Sequence, residues 1–295
     1  MTPVTRREWI TATGGALVAA GLPTAQLWGA PKPGTKMQIG LVTYLWAHMW
    51  DLDTCLKNCE ASQVLGVELR STHGHGVEPL LTQHERAEVK KKFADSPVTC
   101  LGPGSNERYD NPDPAVVKKA IAATKEFLQL SHDIGSSGVK VKPDRFRDEM
   151  SREKTIEQIG KSLHHLAHFA DDLGQEVRLE VHNTVGKDFA ALAQIMEIAD
   201  HPRAVLCWNS NPADLAGAGL HANFNAVKDY FGQTAHIHEL QAAGYPYQDL
   251  MNLLVAMDYS GWLLLECSSK ISDPIAALSQ QREIFHRLIA KAQTT

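Results

Sequence analysis

The sequence predicts a single-domain α/β protein built as a (β/α)8 TIM barrel. Eight short β-rich runs alternate with helical patterns along the chain. The length, 295 residues, suits one such barrel of about 250 residues with a tail. The first run ends in Tyr44-Leu45-Trp46-Ala47-His48, where an open doubly wound sheet would carry a glycine-rich phosphate loop.

The first thirty residues stand apart. Thr5-Arg6-Arg7-Glu8-Trp9-Ile10 looks like a twin-arginine export signal, and residues 11–22 behind it are uncharged and mildly apolar. Residues 1–30 are therefore expected to be a signal peptide, 31–36 a linker and 37–295 the barrel. The expected location is periplasmic or secreted. Export of an already folded chain suits a protein that takes up a metal before it leaves.

The β-rich runs lie at 39–46, 64–71, 98–102, 138–142, 176–183, 204–211, 234–240 and 262–268. Helical periodicity fills the gaps. In 115–134, Val116, Ala120, Ala123, Phe127, Leu130 and Ile134 share one face. In 156–173 the face is Ile156, Ile159, Leu163, Leu166, Phe169 and Ala170. The last helix, 274–292, carries Ile275, Leu278, Ile284, Leu288 and Ile289.

Composition narrows the function. With 43% hydrophobic and 21% charged residues the chain is an ordinary globular one, not a disordered or fibrous one. Loss of Arg6, Arg7 and Glu8, together one positive charge, takes the net charge from −5 to −6. Such a chain does not bind nucleic acid by neutralising phosphates, which argues against an endonuclease on the same barrel. There is no apolar run of 18 residues, so no stable membrane insertion is expected. Five cysteines are too few, and odd, for a disulfide scaffold; Cys55 and Cys59 read as buried thiols.

Barrel strands alternate inward and outward. In Val177-Arg178-Leu179-Glu180-Val181-His182 the apolar set packs on helices, so Arg178, Glu180 and His182 point inward. The same parity turns Glu68 and Arg70, Lys140 and Lys142, Asn209, His236 and His238, and Glu266 inward. Four neighbouring strands thus deliver Glu180, Asn209, His238 and Glu266 to the C-terminal mouth, where such barrels do their chemistry. Two facing carboxylates need a cation between them. With an imidazole and an amide oxygen they make a shell for one divalent ion: Mn²⁺, Mg²⁺, Co²⁺ or Zn²⁺. Arg70, His73, Lys142, His182, Asn211 and His236 are the substrate-binding candidates. Arg178 reads as a structural ion pair, and Trp46 and His48 as a wall for a sugar ring.

Gly66-Val67-Glu68-Leu69-Arg70, Leu179-Glu180-Val181-His182-Asn183, Leu206-Cys207-Trp208-Asn209-Ser210-Asn211, His236-Ile237-His238-Glu239-Leu240 and Leu265-Glu266 occur in this order. Through them the chain from about 37 to 290 resembles the xylose isomerase-like TIM barrel family, also described as sugar phosphate isomerases/epimerases. The resemblance implies that Glu180, Asn209, His238 and Glu266 bind the metal and that the two glutamates move protons. Asn209 stands where the family usually has Asp, so a weaker site is expected. The stretch Glu239–Gly244 lacks the arginine of the ketose 3-epimerase branch.

The expected activity is metal-dependent isomerisation or epimerisation of a free sugar, keto-sugar or related polyol. The rivals are a lyase or hydrolase of an oxidised (keto) glycoside using the same site, and a non-catalytic sugar-binding barrel with a degraded metal site. The expected partner is a small-molecule sugar or glycoside; homo-oligomerisation is left open.

Overall fold

The computed structural model describes residues 32–294. The expected signal at 1–30 therefore lies outside the described residues. Eight parallel strands form one sheet: β1 (Gln38–Val42), β2 (Gly66–Arg70), β3 (Thr99–Arg108), β4 (Gly138–Lys142), β5 (Glu176–Glu180), β6 (Ala204–Cys207), β7 (Thr234–Ile237) and β8 (Trp262–Leu265). The order β6-β5-β4-β3-β2-β1-β8-β7 brings β1 beside β8, and helices occupy the crossovers. The gap between β6 and β7 is bridged by parallel pairing of Leu206 with Phe231 and of Asn209 with His236. This is the predicted (β/α)8 barrel.

Outward strand residues such as Val67, Leu69, Val139, Val141, Leu179 and Leu263 are fully buried under the helices. On inward positions, Val42, Leu101 and Leu264 form a second small apolar cluster. Above it the interior turns polar, with Glu68, Lys140, Arg178, Glu180, Asn209 and His236 all buried. A buried polar interior is costly unless each group finds a partner, so these residues mark where the barrel does more than pack.

Local signals set the helix ends. Asp51 caps Leu52–Ser62 by accepting from the Thr54 amide, and Thr82 with Glu85 closes a capping box on Gln83–Ala94. Asp113 followed by Pro114 starts Pro114–Asp133.

Three expectations need correction. Most strands stop before their β-rich runs do: the first ends at Val42, not 46, because the chain turns through Tyr44 and Ala47. The third runs on to Arg108. In Pro114–Asp133 the buried face is Val117, Ala120, Thr124, Phe127 and Leu128, while Val116 is exposed; the small Thr and Ser side chains on that face hid the true phase. All five cysteines are free and buried, as expected of thiols in a core. The segment 32–36 is tied to the barrel: Gly34 N–H donates to Asp258, and Gln293 donates to the Pro33 carbonyl. No helix among the described residues is long and apolar enough to cross a membrane.

Candidate active site at the barrel mouth

The floor of the site is structural. Arg178 on β5 donates to Glu176 at 2.8 Å, to the Leu101 carbonyl at 2.7 Å and to Ser137 Oγ at 2.7 Å. Glycine is required at 138, because a Cβ there would lie 2.9 Å from the Arg178 guanidinium carbon. Arg178 thus makes the ion pair expected of it, downward and away from the mouth.

One residue pair higher, the chemistry-bearing groups converge. Glu180 ends β5 and receives Lys140 Nζ from β4 at 2.9 Å, both side chains 1% exposed. Asn209, just beyond β6, donates from Nδ2 to Glu180 Oε1 at 2.8 Å and to Glu266 Oε2 at 3.1 Å. Glu266 directly follows β8 and is 12% exposed. His236 on β7 is fully buried. Its Nε2 lies 3.2 Å from Glu68 Oε2, and its Nδ1 lies 3.4 Å from Glu180 and 3.6 Å from Glu266. Glu68 fits beside β3 because residue 104 is glycine: a Cβ there would sit 2.5 Å from Glu68 Oε1.

The charges are tightly coupled. Burial would raise the Glu180 carboxyl, but Lys140, His236 and Lys142 outweigh it and hold the group well below the usual carboxylate range. Glu266 is lowered likewise: burial opposes ionisation, and His236 and Lys140 override it despite Glu180. Burial works against a proton on His236, while Cys207, Glu68 and Glu180 favour one and prevail, so its pKa is raised well above normal. Both glutamates are therefore ionised at neutral pH, which a base requires.

A divalent ion fits this donor set. Ligating atoms of Glu180, His236 and Glu266 lie within 4.8 Å of one another. Asn209 Oδ1 is buried without a hydrogen-bond partner, an expensive state that a cation would relieve. The donors are oxygen and imidazole nitrogen, as hard or borderline ions prefer.

The structure distinguishes the two strand-seven histidines. His236, expected at the substrate, is the ring against both glutamates. His238, expected at the metal, is half-buried and lies outside that group of three. Its Nδ1 lies 2.9 Å from the Glu266 carbonyl, so Nδ1–H donates and Nε2 keeps a lone pair.

The other candidates divide. Lys142 is 6% exposed, and its ammonium has no hydrogen-bond or ion-pair partner among the described residues. Burial and then Lys140 lower its pKa. Arg70 stacks over Tyr44 at 5.2 Å and donates from Nη1 to His73 Nε2 at 3.0 Å. His73 Nδ1 bonds the Thr43 carbonyl, so both ring nitrogens are spent and the ring orients Arg70. His75 is spent in the same way, on the Arg70 carbonyl and the Val77 amide. Trp46 is buried, its indole N–H donating to the Ser269 carbonyl, so it forms no wall, and His48 is exposed.

His182 and Asn211 line one cavity of about 670 Å³ between the segments that follow β5 and β6. Asn211 Nδ2 donates to the Asn209 carbonyl at 2.9 Å, which ties the cavity wall to the site. Asp214, on the same wall, is pushed up to about 7 by burial, although the Asn211 amide and the Tyr245 hydroxyl both donate to it.

Lys140 and Glu68 were not among the residues singled out from sequence. Their inward parity was the available signal. Parity turned both lysines inward, and nearness to the strand end favoured Lys142 over Lys140.

A family model described as xylose isomerase-like TIM barrel matches residues 56–288. No curated protein matches the chain in sequence. Among solved structures, L-ribulose 3-epimerase is similar with a TM-score of 0.74 at 14% identity, covering 88% of this chain and 96% of that one. The 3-keto-D-glucoside 4-epimerase YcjR from E. coli has a TM-score of 0.72 at 14% identity, over 85% of this chain and 100% of that one. The IOLI protein, solved with a zinc atom, has a TM-score of 0.73 at 14% identity, over 86% and 99%.

Proposed function

The chain belongs to the xylose isomerase-like TIM barrel family, and on that premise we propose that it is a divalent-metal-dependent isomerase or epimerase. The substrate is a free sugar, keto-sugar or related polyol, and the reaction is proton transfer at a carbon next to a carbonyl. The observation that carries the reading is the pair of buried, ionised glutamates, Glu180 and Glu266, brought to one point with His236 between them. That two of the similar structures are sugar epimerases, and that another holds zinc, supports it.

Glu180, Glu266 and Asn209, with an imidazole from His236 or His238, would hold the ion. A bound divalent cation supplies Lewis-acid polarisation of a carbonyl and its neighbouring hydroxyl. One glutamate removes the proton made acidic between them, and the other, after taking a proton from solvent, returns it to the substrate. Delivery to the opposite face epimerises; delivery to the adjacent carbon isomerises. Lys140, 2.9 Å away, keeps Glu180 ionised at the start. Arg70, held by His73 and Tyr44, and Lys142 face the substrate oxygens; His182 and Asn211 line the cavity beside them. The twin-arginine-like Arg6-Arg7 supports export, and so a substrate met outside the cytoplasm.

Asn209 favours a second reading. Its amide already joins the two carboxylates by hydrogen bonds, as a metal-free sugar-binding barrel would need. One experiment separates the readings. Metal content is measured after mild purification, and free sugars and keto-sugars are incubated in D₂O with Mn²⁺, Co²⁺, Mg²⁺ or Zn²⁺. Solvent deuterium appearing next to a carbonyl establishes proton transfer. Sugar binding without metal or exchange establishes the second reading.

A further inference from the structure

The mouth is electrically lopsided. Carboxylates Glu180 and Glu266 come from the β5 and β8 ends. On the β2–β4 side stand Arg70 and Lys142, with β3 between them. Lys140 is spent on Glu180. Lys142 is not: it is more than nine-tenths buried, yet its ammonium has no partner among the described residues. Arg70 Nε is likewise buried without a partner.

Three cations, Lys140, Lys142 and Arg70, face three carboxylates, Glu68, Glu180 and Glu266. The site is near neutral before any proton on His236 is counted, and a divalent ion would make it clearly positive. Glu180 and Glu266 favour the Lys142 charge only through space, with no direct contact, and a neutral sugar hydroxyl compensates it only in part. An anion compensates it fully.

We propose that the β2–β4 side of the mouth is a subsite for an anionic oxygen group on the sugar, a carboxylate or a phosphate, held by Lys142 and Arg70. The proposal rests on the reading of the mouth as a sugar site and narrows its substrate to acidic sugars. His73 and Tyr44 fix the guanidinium in place before ligand arrives, so little order is lost on binding.

The test is calorimetric titration of the full-length protein with D-glucuronate, D-glucose 6-phosphate and D-glucose. At least one anionic sugar should bind about tenfold or more tightly than glucose, and the tighter of the two identifies the group. In Lys142→Gln that preference should shrink to within about threefold, because the loss falls more heavily on the anionic sugar than on glucose. Ligand-free Lys142→Met should melt about 2–4 °C higher than wild type, because burial and Lys140 disfavour the charge it removes. A residue kept for stability would give the opposite shift. Glucose binding as tightly as both anions overturns the subsite and leaves the proton-transfer reading standing. Binding of none of the three also overturns it, and the D₂O exchange then decides the broader reading separately.

Discussion

Replacing Asn209 by Asp inverts the electrostatics of the site. The Asn209 amide now donates to Glu180 at 2.8 Å and to Glu266 at 3.1 Å. Ionised, the Asn209→Asp side chain loses both hydrogen bonds and sets a third carboxylate against the other two; protonated, its O–H restores one of the bonds. At about 3 Å and an effective dielectric of about 20, each like-charge contact costs roughly 5 kcal/mol. That exceeds the cost of taking up a proton, so without metal the new aspartate should stay protonated to a pH well above its unfolded pKa of about 3.9. A carboxyl whose folded pKa is raised costs nothing below that unfolded value. Above it, stability falls by up to about 1.4 kcal/mol per pH unit until the folded pKa is passed. Urea melts in chelator should therefore show Asn209→Asp matching wild type near pH 4 and falling progressively behind towards pH 7. A divalent ion reverses the sign, since the added charge should tighten binding by about 1–3 kcal/mol. Melts from pH 4 to 8, with and without Mn²⁺ or Zn²⁺, and metal titration calorimetry provide the readings. A variant as stable as wild type in chelator at every pH would refute the placement of residue 209 between the glutamates. Equal or weaker metal affinity would show that it does not face the ion.

Glu266→Gln should keep its fold and lose about 10²–10⁴ in turnover at saturating metal; wild-type turnover would remove Glu266 from the proton path. Glu180→Gln is a less clean test, because it strands the buried Lys140. For the same reason Lys140→Met should cost about 3–5 kcal/mol, much of it regained in the Lys140→Met, Glu180→Gln double variant; strictly additive losses would mean the pair is not coupled. In chelator, Glu180 and Glu266, with lowered pKa values, stabilise the fold above the ordinary carboxylate range, and that stability is lost as acid titrates them. His236, with a raised pKa, stabilises it below about pH 6.5 and stops doing so as pH climbs through its folded value. Wild-type urea stability should thus peak between about pH 5 and 6.5, and a flat profile would contradict the coupling. Arg6→Lys with Arg7→Lys should leave folded protein in the cytoplasm; unchanged export would dismiss the signal.

The barrel was legible in the sequence because two periods are local properties of the chain. Alternation in Val177–His182 states which residues enter the barrel, and helical spacing between the runs states where crossovers lie. Parity alone therefore turned Glu180, Asn209, His236 and Glu266 inward. Depth along the barrel axis is not a local property. It depends on strand tilt and register between strands far apart in sequence. Lys140 is paired with Arg178 yet reaches up to Glu180, while Lys142, two residues on, finds no partner. Asn209 bridges to His236 across the closing gap, so that ring, and not His238, lies between the glutamates. His73 stood among the substrate-binding candidates, and only the packing of its loop on Thr43 and Arg70 uses up both its nitrogens. Sequence periodicity decided which side chains enter the barrel; the register of eight tilted strands decided which of them meet.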